Sequence, residues 1–317
     1  MTVGYGNILF PEELPLDPAR LSNGLPRAEL EIGFGNGEFT VEYAAAHPDT
    51  LLIGMEVSPS CIARCARRSG HLSNLRIVCT DARFMMKELF VDASLDRVCM
   101  NFPCPWPKNR HARRRVTTGE FSDDLAAVLK IGGVFELVTD EEWYALEAGN
   151  ALSRHEALSV ASYEVGAKRA ITTKYERKWL AMGRNIVRLT LTKTKNFTVE
   201  RWTWSFKNGE CDEVHVKTGR PPSREELEKL FGASGVRGDA RWVFKRLFRD
   251  ADLSAPDCWL VETISTDDEF EQRYYLKVSA RGNDTLIKLD GTAKVYLTPS
   301  VRLAVADLGR RLSACAG

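Results

Sequence analysis

The sequence is poor in everything that would make it a metal protein, a secreted protein or a membrane protein. Its eight cysteines are scattered at 61, 65, 79, 99, 104, 211, 258 and 315; only Cys61 and Cys65 lie close, at helical spacing, and no Cys-x-x-Cys pair or matching histidine pair forms a zinc box. They read as reduced thiols used as small apolar residues, with no metal site expected. No stretch reaches the roughly 18 to 20 apolar residues that a membrane span needs, and Met1-Thr2-Val3-Gly4-Tyr5-Gly6 lacks the basic-then-apolar pattern of a leader, so a cytoplasmic protein with no membrane partner is expected. There is no internal repeat or low-complexity tract. A net charge of +1 excludes neither nucleic acid nor small molecules, because binding depends on where cations cluster.

They cluster in one place. Asn101-Phe102-Pro103-Cys104-Pro105-Trp106-Pro107-Lys108 runs into Asn109-Arg110-His111-Ala112-Arg113-Arg114-Arg115. A proline-locked aromatic turn followed by cations suits an aromatic that stacks a base beside a track that neutralises phosphates. Two blander readings stay open: the cations as a solvated face, and Trp106 as a core aromatic.

The first half alternates strand and helix signals. Strands are expected at 30–33, 51–57, 75–79, 96–102 and 133–139, and helices at 38–46, 59–69, 82–89 and 122–129. That alternation predicts an α/β fold: a doubly wound, Rossmann-like parallel sheet with ligands at the carboxyl ends of its strands. Carboxylates stand at those ends: Glu31 within Glu31-Ile32-Gly33-Phe34-Gly35-Asn36-Gly37, Glu56 placed for ribose hydroxyls, and Asp81 placed for an adenine amino group. A dinucleotide site wants Gly-x-Gly-x-x-Gly; here the spacing is Gly-x-Gly-x-Gly, with Glu31 and Glu38 flanking it. Acids there would repel a pyrophosphate and suit the sulfonium and ammonium of S-adenosylmethionine.

With these motifs the chain resembles the bacterial tRNA (guanine-N7)-methyltransferases, class I enzymes acting on a guanine of the tRNA variable loop. The resemblance spans residues 30–193. It rests on the glycine loop with its acids; on Asn101-Phe102-Pro103 with Pro105-Trp106-Pro107-Lys108, Arg110-His111 and Arg114-Arg115; on Thr139-Asp140; and on Thr173-Lys174-Tyr175-Glu176 with Gly183 and a last strand at 186–191. It implies that Glu31, Gly33, Gly35, Gly37, Glu56, Asp81 and Asn101 contact S-adenosylmethionine. It further implies that Lys108, Arg110, Arg114, Arg115, Asp140 and the segment Thr173, Lys174, Tyr175 and Glu176 bind tRNA. Two alternatives stay open: Asp140 as a cap of the following helix, and Glu176 as a partner of Lys174 or Arg177 on a strand face.

One letter departs from the family. Where the motif has Asp between two prolines, treated as catalytic, this chain has Cys104. Guanine N7 offers an in-plane lone pair and no proton to remove, so no general base is required, but a carboxylate would stabilise the cationic product ring. Asp140 or Glu176 could supply that charge; a covalent cysteine mechanism is not needed for N7 chemistry. A non-catalytic RNA-binding paralogue and a methyltransferase for another base are the competing readings; the retained Glu31, Glu56 and Asp81 oppose the first, and Phe102 and Cys104, interrupting an Asn-Pro-Pro-aromatic turn, oppose the second.

The expected organisation is an N-terminal segment 1–28, the methyltransferase domain 29–196 and a smaller α+β extension 197–317, in a monomer or homodimer. In the extension, strand-like pieces at 197–206, 213–217, 258–264, 273–279, 285–289 and 294–297 accompany helices after Pro221-Pro222-Ser223 and at 302–314. Arg237, Arg241, Lys245, Arg246 and Arg249 interleave with Trp242, Phe244 and Phe248, either as an amphipathic segment with its aromatics inward or as an auxiliary tRNA contact.

Overall fold

The computed structural model describes residues 2–3, 7–11, 14–108, 110, 115, 118–202, 215–249, 258–292 and 294–315. Arg114, His111 and Cys211, residues 203–206 of the strand expected at 197–206 and residues 213–214 of that expected at 213–217 lie outside the described residues; the described residues 197–202 form no strand. The chain divides into two compact units, Met1–Glu200 and Arg201–Gly317.

The first unit opens with β1 (Thr2–Val3), β2 (Leu9–Phe10) and α1 (Pro18–Leu21). It continues β3 (Arg27–Ile32), α2 (Glu38–Ala46), β4 (Thr50–Glu56), α3 (Pro59–Ser69), β5 (Leu75–Cys79), α4 (Ala82–Leu89), β6 (Leu95–Asn101), α5 (Gly119–Val128), β7 (Leu129–Thr139), α6 (Glu142–Leu152), β8 (Leu158–Val165), α7 (Lys174–Ala181) and β9 (Val187–Lys193). Central strands covered on both faces need continuous apolar runs, and Leu51, Leu52, Ile53 and Met55 of β4 are all buried. The helices start where side chains can take their first amide protons: Ser58, Asp81 and Thr118 each accept from a first-turn N–H of α3, α4 and α5.

The strand order is β5-β4-β3-β6-β7-β9-β8. The direction of winding reverses between β3 and β6, the place where open α/β sheets bind ligands. The sheet is mixed rather than wholly parallel: β9 enters between β7 and β8 and pairs antiparallel with both. The edge strand β8 carried no sequence signal because, apart from Leu158, its residues are exposed or half-buried.

The second unit comprises β10 (His215–Thr218), α8 (Arg224–Glu228), β11 (Ser234–Arg237), β12 (Ala240–Arg249), β13 (Cys258–Asp267), β14 (Phe270–Arg281), β15 (Asp284–Leu289) and α9 (Pro299–Cys315). Its antiparallel sheet runs β10-β15-β14-β13-β12-β11. Val301, Val305 and Leu308 of α9 share a core with Trp242, Phe244, Tyr274, Leu276 and Ile287. Trp242 also donates from Nε1 to Asp307 at 2.9 Å. The inward aromatics decide the sequence alternative for Trp242 and Phe244, on a strand with a bulge between Phe244 and Leu247. The expected strand at 294–297 does not form: Gln272 holds Tyr296 by both of its backbone groups, at 2.9 and 3.0 Å, in place of a ladder.

Among the described residues, no helix is long and apolar enough to cross a membrane, and no group of three or more His, Cys, Asp and Glu is placed to hold a metal ion.

Candidate active site

The loop leaving β3 is built from three glycines in the left-handed region, Gly33, Gly35 and Gly37, with φ of +73°, +56° and +72°. Side chains rarely adopt that conformation, and at Gly37 a Cβ would also lie 2.4 Å from Cys65 Sγ. Burial pushes the Cys65 thiol up to about 12, so it serves as packing. Glu56, at the end of β4, fastens the loop: its Oε2 accepts from Gly35 N–H at 3.0 Å, and its Oε1 accepts from the N–H groups of Val57 and Ser58. Asp81 caps α4 through Arg83 N–H and clamps the Arg83 guanidinium at 2.6 Å.

Glu31 and Asn101 face each other across the switch point. Asn101 Nδ2 donates to Glu31 Oε1 at 2.9 Å, whereas Glu31 Oε2 is buried with no protein partner among the described residues. Burial pushes the Glu31 carboxyl above its ordinary range, against the hydrogen bond from Asn101, the nearby Thr40 hydroxyl and the charges of Arg97 and Arg169. A carboxylate with one orphaned oxygen in a 1% exposed side chain is a site built for a cationic or donor-rich group, since leaving the oxygen unmatched costs about 1–3 kcal/mol or more.

The network continues through a residue that sequence reasoning missed. Arg169 Nη1 donates to Asn101 Oδ1 at 2.6 Å, its guanidinium pairs with Glu176, and it lies 5.1 Å from the Phe39 ring centroid. Glu176 occupies the third position of α7, where it and Thr173 form a capping box. The strand-face reading of Glu176 is therefore corrected. Thr173-Lys174-Tyr175-Glu176 is itself the capping-box pattern, which was the signal available for a helix start. Lys174 and Tyr175, from the same first turn, are exposed.

Asp140 does not cap α6; the N-cap is Glu141, and Asp140 pairs with Arg184 at 2.6 Å. Both acids after Thr139 and Thr173 thus carry an arginine partner. Arg184 in turn lies 4.4 Å from the Trp179 ring centroid, with Lys178 at 4.5 Å.

The turn after β6 is more strained than its prolines require. Phe102 and Trp106 both have positive φ, +51° and +45°, in non-glycine residues. Two contacts hold them: Phe102 N–H donates to Val138 at 2.7 Å, and Trp106 C=O accepts from Arg115 Nη2 at 2.8 Å and Nε at 3.1 Å. Arg115 also pairs with Glu147 at 2.9 Å and lies 5.3 Å from the Trp143 ring centroid. At 7% exposed, Arg115 is no part of a phosphate track, and that expectation is corrected: its donors face protein oxygens, and it shapes the turn. Cys104, Lys108 and Arg110 are exposed.

A family model described as "Putative methyltransferase" matches residues 27–189. A tRNA (guanine-N(7)-)-methyltransferase of Thermotoga maritima is 37% identical over 308 residues, covering 96% of this chain and 95% of that protein. The chain belongs to the tRNA (guanine-N(7)-)-methyltransferase family. A family member from Aquifex aeolicus is 27% identical over 295 residues, covering 91% of this chain and 95% of its own. One from Saccharophagus degradans is 37% identical over 188 residues, 57% of this chain and 81% of its own length. Enzymes of the tRNA (guanine-N(7)-)-methyltransferase family use S-adenosylmethionine, and the residues present fit it: an orphaned buried carboxylate oxygen for an ammonium, and acids rather than a helix-borne anion site beside the glycine loop.

Proposed function

We propose that this chain methylates N7 of a guanine in the variable loop of tRNA. The observation that carries the reading is the network Glu31, Asn101, Arg169 and Glu176, which joins a buried cation-seeking carboxylate at the switch point to α7. S-adenosylmethionine, when bound, supplies an electrophilic methyl group. Glu31, with Gly33, Gly35 and Gly37, would hold its amino-acid end; Glu56 its ribose; Asp81 its base; Asn101 is the polar group of β6 that faces it. The guanine needs no proton removed, so this chain's residues act by positioning and by charge. Asp140, at the end of β7 beside Arg184, would meet the guanine edge and offset its developing positive charge, and Glu176, buried against Arg169, would act through that pair by holding Asn101 and the start of α7. Lys108, Arg110 and Lys174 would meet phosphates, with Arg114 as a further candidate from the sequence. Tyr175, 58% exposed at the first turn of α7, would stack.

The test is incubation of unmodified tRNA with labelled S-adenosylmethionine and mapping of the product nucleoside. The expected product is 7-methylguanosine; any other product, or none, overturns the reading.

Two substitutions sharpen it. Cys104→Ala is expected to retain most methyl transfer, because the thiol is exposed and N7 has no proton to lose. A loss as severe as that from Glu176→Ala would assign the thiol a chemical role. Arg115→Gln is expected to lower thermal stability and kcat while leaving the salt dependence of tRNA affinity unchanged, because the guanidinium is committed to Trp106 and Glu147. A shallower salt slope would return Arg115 to the phosphate track.

A further inference from the structure

The second unit's sheet has a face that α9 does not cover. Strand alternation puts Phe244, Tyr274, Leu276 and Ile287 into the core with α9, so their neighbours Tyr275, Lys277 and Lys288 point the other way. The register lines up one row across five strands: Phe248 opposite Leu260, Leu260 opposite Lys277, Lys277 opposite Lys288, and Lys288 opposite His215. Two lysines directly opposite one another repel, and a fold gains nothing from placing them so. The next row holds Tyr275 beside Glu262, which is 3% exposed beneath Arg246 at 2.6 Å and Arg273 at 3.9 Å. Of the acids here, Glu262 is thus covered by its two arginines, Asp290 lies at the strand end near Lys277 and Lys288, and Glu271 and Asp284 are exposed toward the ends of β14 and β15. The aromatics on the face are a pair: the Phe248 and Tyr275 rings meet edge to face at 5.8 Å, and the Arg246 guanidinium lies 5.4 Å from the Phe248 centroid. Phe248 is 40% exposed, and Arg246 and Arg273 about 60%. At the β10–β15 edge, a cleft of about 330 Å³ adds Lys217 and Arg281, with Asp284 beside them.

We infer that this face is a second RNA-binding surface, taking an unpaired nucleotide on Phe248 and Tyr275 and the flanking phosphates on Lys277, Lys288 and Arg273. Cations around an exposed Phe248 and a half-buried Tyr275 complement a single-stranded or looped segment of RNA, whose bases stack and whose phosphates relieve the lysine repulsion. The inference rests on tRNA being the substrate, and it gives the extension the task of gripping that substrate with a surface of its own.

The experiment uses the full chain and an unmodified tRNA transcript. Lys277→Gln with Lys288→Gln removes a like-charge pair and so leaves the fold intact. It is expected to raise KM for tRNA about tenfold and to reduce the salt slope of tRNA affinity by about 1 to 2, with kcat at saturating tRNA and S-adenosylmethionine affinity unchanged. Phe248→Ala with Tyr275→Ala is expected to weaken tRNA binding about fivefold or more with the salt slope unchanged. Unchanged tRNA affinity and slope in both variants overturn the inference. So does a change in sedimenting mass with tRNA affinity unchanged, which would assign the face to protein. If the wild-type chain binds tRNA without methylating it and the lysine variant loses that binding, the inference stands and the proposed activity falls; if the wild type methylates tRNA and both variants match it, only the inference falls.

Discussion

Glu31→Gln is expected to lower S-adenosylmethionine affinity at least ~100-fold while raising the melting temperature of the ligand-free protein. The side chain keeps its shape and can still accept the hydrogen bond from Asn101, so the glycine loop and the strand ends stay in place. What disappears is the buried charge, and truncating one partner of a buried charged contact costs about 2–5 kcal/mol of binding. The stability gain has the opposite cause. Burial raises the Glu31 carboxyl above its ordinary 4.5, so between that value and the raised one the folded chain holds a proton that the unfolded chain has released. The folded state is therefore favoured most below the ordinary value and loses that advantage as pH rises through the raised one, leaving a penalty at neutral pH that glutamine lacks. Ligand binding runs the other way: a cation prefers the carboxylate, so wild-type affinity should fall as pH drops through the raised value, and the variant should show no such limb. Calorimetry and thermal melts across pH measure both. A variant that binds within threefold of wild type, or melts lower at neutral pH, would show that Glu31 is packing rather than a ligand.

Much of the first unit was legible because its signals are local. Ser58-Pro59 and Asp81 announce helix starts that the backbone obeys, and α2, α3 and α4 begin and end where their periodicity and punctuation say. The acids at strand ends were legible for the same reason, since topology brings strand termini together whatever the intervening helices do. What was not legible depends on partners far along the chain. Arg169 lies 68 residues from Asn101, and nothing in its own neighbourhood says that it will orient that amide. Arg115 sits in a basic run and reads as one more phosphate contact; only the folded chain shows Glu147 and the Trp106 carbonyl waiting for it. The β12 strand turns Trp242 and Phe244 inward but Phe248 outward beside Arg246, because the bulge between Phe244 and Leu247 shifts the alternation that the sequence pattern would have continued.

The Arg169–Glu176 pair is where stability and activity should separate. Both side chains are nearly inaccessible, at 7% and 1%, so removing either strands a charge: Glu176→Ala or Arg169→Ala is expected to destabilise the chain by about 3–5 kcal/mol. Glu176→Ala also removes half of the capping box at α7, which contributes about 1 kcal/mol. If the pair is the cause, the double variant Arg169→Met, Glu176→Gln should recover part of that loss, giving a coupling of at least about 1 kcal/mol in a double-mutant cycle measured by urea unfolding. Activity should not recover with it. Asn101 would lose the donor that fixes its amide, and with it the orientation of the group that holds Glu31, so kcat should stay about 100-fold down in a double variant that folds well. Additive single costs would show that the two residues act separately. A double variant with wild-type turnover would show that the pair holds α7 in place and nothing more.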